Sequence, residues 1–461
     1  MNIKSFRGGI HPPQRKKITE NLPIEPLFPH TNAVCIPITQ GGAPNAPIVK
    51  VGDTVARGQK IAESDAFMSV PVHASIAGVV KKIENHLVIG NTDALCIIIE
   101  DDGSGQTSFM DPLDPFTCTT QDAVKRVRDA GIVGMGGASF PTHVKLNPPK
   151  ECKIDLLIAN GAECEPYLTI DARMMQESAS KIVDGIAIAM RITGASRGII
   201  AVEDNKLDVL PYLEKAVAEL RANPIGAGAR NISVAYCKTK YPQGSEKILI
   251  KALTGKEVPS GCLPAHVGCV VNNVGTLKAI SEAFREGKPL IERTLTVSGG
   301  SCVNPRNIEV PVGTLLGDLI PSSFTLHPGT IKIVVGGPMM GIAMKSANFP
   351  IIKSTSGILF LSAKEASIEE EGACIGCGRC IPACHCRLIP VQMMKALKAS
   401  DLEESKRYGL MDCVECGACD YVCPARIKLV QRFREGKQLE RAEIQKKKEM
   451  AAAQNSAKGV R

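Results

Sequence analysis

Apolar residues change their spacing several times along the chain, which predicts a series of different domains. Residues 31–105 hold short apolar runs divided by glycine and proline turns, as in a small all-β unit. Residues 118–290 alternate short apolar strands such as Asp155–Ala159 with long helical patterns such as Asp171–Thr193. Because strands that alternate with helices indicate a parallel sheet, we expect an α/β domain here.

The rest of the chain divides into two further units and two terminal segments. Residues 291–350 predict a small β-rich unit, and residues 365–438 predict short helices around cysteine-rich loops. Residues 1–30, rich in proline and basic groups, predict an extended arm. Residues 439–461 predict a charged tail that is either a frayed helix or disordered. A chain of 461 residues exceeds one ordinary core, so we expect a multidomain α/β protein.

Composition narrows the class of protein without identifying it. With 44% hydrophobic and 22% charged residues, the chain is typical of a folded globular protein. Its apolar stretches, such as Ile182–Met190, are far shorter than the roughly 20 residues of a membrane-spanning helix. The basic, polar start of the chain does not resemble a signal peptide. We therefore expect an intracellular protein, and a reducing compartment suits its 18 cysteines.

The net charge argues against one class of partner and leaves others open. A formal charge of +8 is too small to indicate nucleic-acid binding, and no arginine–aromatic pattern supports such a role. A basic face could meet acidic redox partners or an anionic membrane surface. An ordinary solvated surface explains the charge equally well.

One cysteine pattern occurs twice near the C-terminus. Each copy has the spacing C-x2-C-x2-C-x3-C, in which the fourth cysteine of each copy ligates the [4Fe–4S] cluster of the other. The pattern therefore predicts two clusters with crossed ligands. Cluster one is expected to be held by Cys374, Cys377, Cys380 and Cys423, and cluster two by Cys413, Cys416, Cys419 and Cys384.

Two other interpretations of these cysteines suit the spacing less well. Structural zinc normally uses two separated C-x2-C pairs, and adjacent cysteines in short loops would form strained disulfides. Cys386, just beyond the first copy, is expected to be a spare buried thiol. Since iron–sulfur clusters accept electrons singly, the chain is expected to move electrons one at a time.

A glycine-rich segment, Gly131–Lys145, offers a second candidate site. Several glycines after a predicted helix let the backbone approach a ligand closely and leave amide N–H groups free for phosphate. Lys145 would add a mobile positive charge. By itself such a loop is weak evidence, because a plain turn has the same composition.

Four further segments occur in a fixed order along the chain: Gly134–Lys145, Asn160–Pro166, Tyr241–Glu246 and Asn272–Thr276. Together they resemble one known family, the complex I 51-kDa subunit family, which includes subunits of NAD-reducing hydrogenases and formate dehydrogenases. The resemblance implies a Rossmann-like domain that binds FMN and NADH. This sequence departs from the family pattern at three positions, where Met135 replaces an arginine, Ser139 a glycine and Ser245 a glutamate.

The remaining segments narrow the resemblance. Val51–Ile61 and Val72–Val80 resemble a biotinyl/lipoyl barrel-sandwich hybrid, but Glu63–Ser69, where the modified lysine would lie, contains no lysine. We therefore expect a docking or structural module without a covalent cofactor. With the arm Phe6–Pro13 and the doubled cysteine pattern, nearly the whole chain is similar to the RnfC family, the C subunits of Rnf complexes, which are membrane-bound ferredoxin:NAD oxidoreductases. Residues 291–350 would then be the soluble-ligand-binding β-grasp (SLBB) domain of that family.

The resemblance also implies the residues of a nucleotide site. Non-covalent FMN would lie against a small-residue wall, with polar side chains holding its phosphate, ribityl chain and ring edge. The wall is Gly134, Gly136, Gly137 and Ala138, and the polar residues are Lys145, Asn160, Tyr241, Asn272, Asn273 and Thr276. Phe140 would stack on the nicotinamide or adenine of NAD(H). Glu163 and Glu165 would contact the dinucleotide or flavin, or else cap a helix near Pro166.

The resemblance implies an enzyme subunit: a peripheral component, on the cytoplasmic side of the inner membrane, of an ion-translocating ferredoxin:NAD oxidoreductase. Its partners would be NADH, the membrane and ferredoxin-like subunits of the complex and, indirectly, ferredoxin, but not nucleic acid. FMN would stand between NADH, a two-electron donor, and clusters that accept single electrons. Two alternatives are a flavin-free iron–sulfur wire, which Met135 and Ser245 leave open, and the flavin subunit of a soluble dehydrogenase or hydrogenase.

Overall fold

A computed structural model describes residues 3–222, 231–366 and 369–458, with side chains up to residue 450. The described chain forms two compact units, each built from segments that are distant in sequence. The first unit comprises Met1–Ser5, Pro13–Thr239 and Gln243–Ser367, and the second comprises Phe6–Pro12, Lys240–Pro242 and Ile368–Arg461.

The first unit begins with one short strand, β1, followed by a sandwich of two small antiparallel sheets. The sheets have the strand orders β2-β8-β7-β4 and β3-β5-β6, and Ile36, Ile61 and Ile97 are fully buried between them. The predicted barrel-sandwich domain is thereby confirmed. The strands are β1 (Ile24–Pro26), β2 (Ala33–Pro37), β3 (Ala46–Pro47), β4 (Thr54–Val55), β5 (Lys60–Glu63), β6 (Val72–His73), β7 (Gly78–Val88) and β8 (Thr92–Asp101).

The hairpin between β5 and β6 packs against the glycine-rich segment of the next domain. His143 Nε2 donates to the Phe67 carbonyl at 2.9 Å, and burial lowers the pKa of His143, so its ring is neutral. Gly42 also approaches the hairpin, so closely that a Cβ atom there would lie 1.7 Å from the Met68 carbonyl oxygen. Only glycine is compatible with this contact, because its φ of +76° also lies in the left-handed region.

The middle of the first unit is an α/β domain around a four-stranded parallel sheet with the order β11-β10-β9-β12. Separate apolar cores cover its faces, as in a doubly wound fold. The strands are β9 (Leu156–Gly161), β10 (Arg197–Glu203), β11 (Ile232–Cys237) and β12 (Cys269–Asn273). The helices are α1 (Thr120–Asp129), α2 (Thr142–Lys145), α3 (Ile170–Glu177), α4 (Ala179–Thr193), α5 (Leu210–Ala222), α6 (Glu246–Thr254) and α7 (Val274–Arg285).

One predicted helix of this domain is in fact two. The pattern predicted a continuous helix over Asp171–Thr193, but α3 ends before Ser178 and α4 begins after it. Ser178 has φ −129° and ψ 26°, outside the helical region. Serine disfavours helix interiors because its hydroxyl competes for nearby backbone groups, and apolar periodicity alone does not reveal such a break.

The last part of the first unit is a β-grasp-like sheet with the order β1-β14-β13-β17-β15-β16, in which β13 and β17 are parallel and central. Its central strand β17 lies beyond residue 350, and β1 comes from the predicted arm and pairs with β14. The sheet therefore extends past the expected unit in both directions. The elements are β13 (Glu292–Ser298), β14 (Arg306–Pro311), α8 (Leu316–Ser323), β15 (Thr330–Val335), β16 (Ile342–Met344) and β17 (Gly357–Ser362).

The second unit is helical, as the cysteine-rich segment predicted. Its core contains the fully buried Met393, Leu410 and Phe433. The last helix runs from Leu429 to Lys458, so the predicted tail continues a helix that begins inside the cluster module. The helices are α9 (Cys380–Ala383), α10 (Pro390–Lys398), α11 (Leu402–Arg407), α12 (Ala418–Tyr421) and α13 (Leu429–Lys458). Within the described ranges, no helix is both long and apolar enough to cross a membrane.

The crossing of α4 over α7 depends on one glycine. A Cβ atom on Gly185 would lie 1.9 Å from the Leu277 carbonyl oxygen of α7. We expect Gly185→Ala to lower the free energy of unfolding by about 1–3 kcal/mol, because two packed helices must separate to admit the methyl group. Differential scanning calorimetry of the whole chain would measure the change as a lower unfolding temperature of this domain.

Gly317→Ala is the matched control for that substitution. Gly317 also lies in a helix, α8, but the nearest atom to its added Cβ, the Ala347 carbonyl oxygen, is 3.7 Å away. Its replacement should be neutral or slightly stabilising, since alanine has the higher helix propensity. Equal effects of the two substitutions would contradict the packing argument.

Candidate functional site

The parallel sheet places three predicted asparagines at one edge. Asn160 is the second-last residue of β9, and Asn272 and Asn273 end the neighbouring strand β12, where Asn273 is paired with Asn160. The strand order reverses between β9 and β12, and ligands of open α/β sheets bind at such switch points, beyond the carboxyl ends of the strands. The side chain of Asn272 is buried, and its Nδ2 has no hydrogen-bond partner among the described residues. An orphaned buried donor at this position is what a bound polar ligand would satisfy.

The glycine-rich segment forms a closed loop over this edge. Gly134 N donates to the Phe140 carbonyl at 2.9 Å, which joins the two ends of the loop. A Cβ on Gly136 would lie 3.0 Å from Asn273, whereas a Cβ on Gly137 would have no atom within 4 Å. The loop therefore rests on β12 at Gly136 and borders open space at Gly137. The predicted wall of small residues is compatible with an FMN molecule in that space.

Met135 and Thr276 fix the position of this loop. The backbone N–H of Met135 donates to Thr276 Oγ1 at 3.0 Å, and the Met135 side chain is buried in the core of the α/β domain. The methionine that replaces the family's arginine is thus a packing residue. The Thr276 hydroxyl accepts a hydrogen bond from the loop backbone. The contact of Thr276 with flavin stays a prediction.

Lys145 lies at the same edge of the sheet. Its Nζ is 2.6 Å from Glu246 Oε1 and 2.7 Å from the Val271 carbonyl oxygen, just before Asn272 on β12. The ammonium group is therefore held at the end of the strand by one charged and one neutral acceptor. A phosphate at the open side of the loop would find this positive charge already in place.

Asn160 connects the end of β9 to the Tyr-x-x-Gly motif. Its Oδ1 accepts from Ala162 N at 3.1 Å, and its Nδ2 donates to the Gly244 carbonyl at 2.9 Å. The adjacent Gln243 is fully buried, and neither atom of its amide has a partner among the described residues. The sequence argument did not select Gln243, although it lies inside a segment that carried the resemblance. Its unsatisfied amide makes it a further candidate ligand.

The two predicted glutamates make separate protein contacts. Glu163 accepts from the Asp171 backbone N–H, in the first turn of α3, at 2.9 Å, which supports the helix-capping alternative. Its carboxylate also pairs with Lys206 at 3.3 Å and with Lys16 at 3.7 Å. Glu165 accepts from the backbone N–H groups of Met339 and Met340, both at 3.0 Å.

Lys16 and Lys206 were not predicted from the sequence. Both are almost completely buried, and Lys16 lies 147 residues before Glu163. Burial, together with the nearby Lys206, lowers the pKa of Lys16 to about 8. For Lys206, burial acts in the same direction, but Glu163 and Glu203 outweigh it and raise the pKa. Only the fold brings these groups together.

Two predicted aromatic residues lie in different units. Phe140, in the first unit, is 39% exposed and is free to stack on a ring. Tyr241 belongs to the second unit, where it is only 1% exposed and its hydroxyl donates to the Cys416 carbonyl at 2.6 Å. Its predicted contact with flavin stays a prediction.

The four expected ligands of cluster two lie together. Cys384, Cys413, Cys416 and Cys419 line one cavity, whose other walls include the apolar Met393 and Phe433. Backbone N–H groups of Leu388 and Glu415 point at Cys384 Sγ and Cys413 Sγ, each at 3.4 Å. Four sulfurs, N–H donors and an apolar wall suit a [4Fe–4S] cluster.

The expected ligands of cluster one occupy a more open part of the second unit. Cys374 and Cys377 are exposed, and Cys380 and Cys423 are partly buried. Burial first, and then the nearby Cys377 and Cys423, raise the pKa of Cys380, so these three thiols lie near one another. No group of three His, Cys, Asp or Glu side chains within the described ranges is arranged around a single metal ion. In a cubane each cysteine binds a different iron, so its ligands are not gathered around one ion.

Cys386 provides a control for the cluster assignment, because it lines the same cavity as Cys384. Burial raises the pKa of Cys386 to about 12, as expected for an inert thiol. We expect Cys384→Ser to remove about half of the iron, since a hydroxyl is a poor substitute for a thiolate, and Cys386→Ser to leave iron unchanged. Iron content and low-temperature electron paramagnetic resonance (EPR) would show this. Iron loss only in the Cys386 variant would contradict the crossed ligand set.

Three family patterns cover most of the chain. The RnfC barrel sandwich hybrid domain matches residues 4–104, the Nuo51 FMN-binding domain residues 127–282, and the 4Fe-4S dicluster domain residues 373–427. The predictions of an FMN domain and of two [4Fe–4S] clusters are thereby confirmed. A similar fold occurs in the crystal structure of an NAD⁺-reducing [NiFe]-hydrogenase in the H₂-reduced state, with a TM-score of 0.50 and 20% identity, covering 70% of this chain and 63% of that one.

Relatives of similar length match almost the entire sequence. The C subunit of the proton-translocating ferredoxin:NAD(+) oxidoreductase complex from Clostridium ljungdahlii is 44% identical over 97% of this chain and 96% of its own length. The Na(+)-translocating counterpart from Acetobacterium woodii is 42% identical, over 89% and 92%. The C subunit of the ion-translocating oxidoreductase complex from Rhodobacter capsulatus is 39% identical, over 93% and 82%. The chain therefore belongs to the family of C subunits of ion-translocating ferredoxin:NAD(+) oxidoreductase complexes, as the sequence resemblance predicted.

Proposed function

We propose that this chain exchanges a hydride between NAD(H) and FMN in its α/β domain and passes single electrons onward through its two clusters. The main support is the switch-point edge, where an open glycine loop, a positioned Lys145 and the orphaned Asn272 amide lie together. When bound, FMN supplies the conversion between two-electron and one-electron transfer. The protein's own task is to bind, orient and shield the reacting rings.

The backbone and side chains at this edge have distinct roles in the proposal. Gly136 and Gly137 let the loop backbone approach the flavin, because any larger side chain at Gly137 would fill the open space. Lys145 neutralises phosphate, and its present partner Glu246 keeps it at the end of β12. The Asn272 amide would donate to a polar atom of the ribityl chain or ring edge.

Dinucleotide binding is assigned to the outer side of the same loop. Phe140 would stack on the nicotinamide or adenine, since much of its ring is exposed. Glu165 is held by the amides of Met339 and Met340, which position its carboxylate near the β-grasp loop. Asn160, Asn273 and Thr276 support the loop and strand ends.

The complex supplies the remaining partners. The family membership makes this chain part of a larger ion-translocating assembly. We place it at the cytoplasmic side of the inner membrane, where membrane-bound and ferredoxin-like subunits would receive its electrons. Its formal charge of +8 is compatible with acidic partner surfaces or an anionic lipid surface.

Reduction by NADH tests the proposed activity directly. The anaerobically reconstituted chain should contain roughly eight irons and one FMN, and NADH should bleach the cluster absorbance. Absorbance spectra before and after NADH addition, with iron and flavin analysis of the same sample, provide the measurement. Normal iron without flavin and without bleaching would favour the flavin-free wire instead.

Two substitutions test the position of the flavin. Lys145→Met removes the phosphate partner, and Gly137→Trp fills the open side of the loop, so both should lower FMN content at least tenfold under limiting flavin. Iron content should stay at the wild-type value. Released flavin would be measured by fluorescence after denaturation of each purified variant.

Lys215→Met serves as the control for Lys145→Met. Lys215 lies on α5 with 77% of its side chain exposed and pairs only loosely with Glu219, at 3.8 Å. Its replacement should change neither flavin nor iron. Loss of iron rather than flavin in the Lys145 and Gly137 variants would place the flavin elsewhere.

A further inference from the structure

Tyr241 begins a segment that resembles a flavin motif, yet its side chain belongs to the iron–sulfur module. Its hydroxyl donates to the backbone carbonyl of Cys416, an expected ligand of cluster two, at 2.6 Å. The ring is 1% exposed, so this bond is shielded from water. A buried phenol that donates to the peptide of a metal ligand fixes that peptide, and with it the direction of the thiolate.

The backbone of Tyr241 is held by the N-terminal arm. Tyr241 and Ile10 exchange two hydrogen bonds of 2.9 Å, and Gly9 N donates to the Ala383 carbonyl at 3.0 Å. A Cβ on Gly8 would lie 2.9 Å from both the Cys384 carbonyl oxygen and the Cα of His385. Phe6–Pro12 therefore lies directly on the loop that carries Cys384, with glycine at the closest point.

His385 contacts the same cysteine as Tyr241. Its Nδ1 lies 3.8 Å from Cys416 Sγ, its Nε2 is buried without a partner among the described residues, and the whole residue is 6% exposed. The ring of Phe6 meets the imidazole edge-on at 6.2 Å, which helps to hold its orientation. A ring nitrogen that carries its proton here donates to the sulfur once the cysteine is a thiolate.

We propose that Tyr241 and His385 are positioning residues of cluster two that raise its reduction potential. When a cluster accepts one electron, negative charge grows on its sulfurs, and N–H or O–H dipoles aimed at them stabilise the reduced form. The His385 ring faces the Cys416 sulfur, whereas the Tyr241 hydroxyl donates to the Cys416 carbonyl and so fixes the peptide that carries the thiolate. Cluster one, which has two exposed ligands, Cys374 and Cys377, serves as the internal reference, because both donors contact Cys416, an expected ligand of cluster two.

The proposal rests on the two clusters but not on the flavin. The Tyr-x-x-Gly segment therefore has two functions. Tyr241 holds the loop that carries Cys416, and Gly244, three residues later, accepts a hydrogen bond from Asn160 at the switch point. A short stretch of chain thus carries one residue for each redox centre. Experiment can distinguish whether cluster two or the flavin site depends on the Tyr241 side chain.

Redox titration of the anaerobic full chain, followed by EPR, tests the proposal. Tyr241→Phe keeps the ring but removes the hydroxyl donor. The equilibrium constant for reducing cluster two should therefore fall about tenfold, so that its one-electron reduction potential becomes about 59 mV more negative. His385→Gln should shift the same signal in the same direction. The signal of cluster one, the iron content and the FMN content should stay unchanged in both variants.

Tyr408→Phe is the matched control, because the Tyr408 hydroxyl contacts Glu404 on α11 and not a cysteine loop. In this variant the EPR signals of both clusters should titrate at the wild-type reduction potentials. Loss of FMN with unchanged cluster potentials in Tyr241→Phe would overturn the proposal and return the tyrosine to the flavin. Equal shifts of both clusters, or no shift, would also overturn it. Should Tyr241→Phe fail to fold, His385→Gln alone decides by the same criteria.

Discussion

The most demanding constraint in the first unit is the burial of charge around Glu163. Its carboxylate lies between Lys16 and Lys206, and Lys206 also pairs with the fully buried Glu203 at 3.2 Å. Buried ions lose their hydration, so each must find opposite charge and hydrogen bonds within the protein. Lys16 does so by also donating to the backbone carbonyls of Glu163 and Glu165. The arm, the end of β9 and the end of β10 are therefore positioned by a single set of charges.

The same set of charges extends to the nucleotide edge through Asp171. Burial, and then the nearby Glu163, raise the pKa of Asp171 to about 7. Asp171 accepts from Asn273 Nδ2 at 2.8 Å, and the fully buried Arg293 donates to the Met135 carbonyl at 3.2 Å. Residues from the glycine loop, β12, α3 and the β-grasp sheet thus share one polar network. Such support holds the walls of a site in place before a ligand arrives.

Sequence patterns predicted what depends on local spacing. The cysteine runs and the strand–helix alternation are each specified within a few dozen residues, and the fold contains the helical module and the parallel sheet that they predicted. Contacts between distant segments were not predictable. Lys16 approaches Glu163 across 147 residues, and β1 pairs with β14. The contact of Tyr241 with Cys416, across 175 residues, could not be predicted for the same reason. A motif indicates membership of a family but not which residue each side chain contacts.

The hairpin between β5 and β6 is packed against its neighbours, unlike the hairpin of barrel-sandwich domains that carry a covalent cofactor. A biotinyl or lipoyl group works as a swinging arm, so the hairpin that carries it must project freely into solvent. Here the corresponding hairpin contains no lysine, and its backbone is contacted by His143 and closely approached by Gly42. The hairpin therefore packs against the α/β domain of the same unit, and this contact limits the movement of the glycine-rich segment.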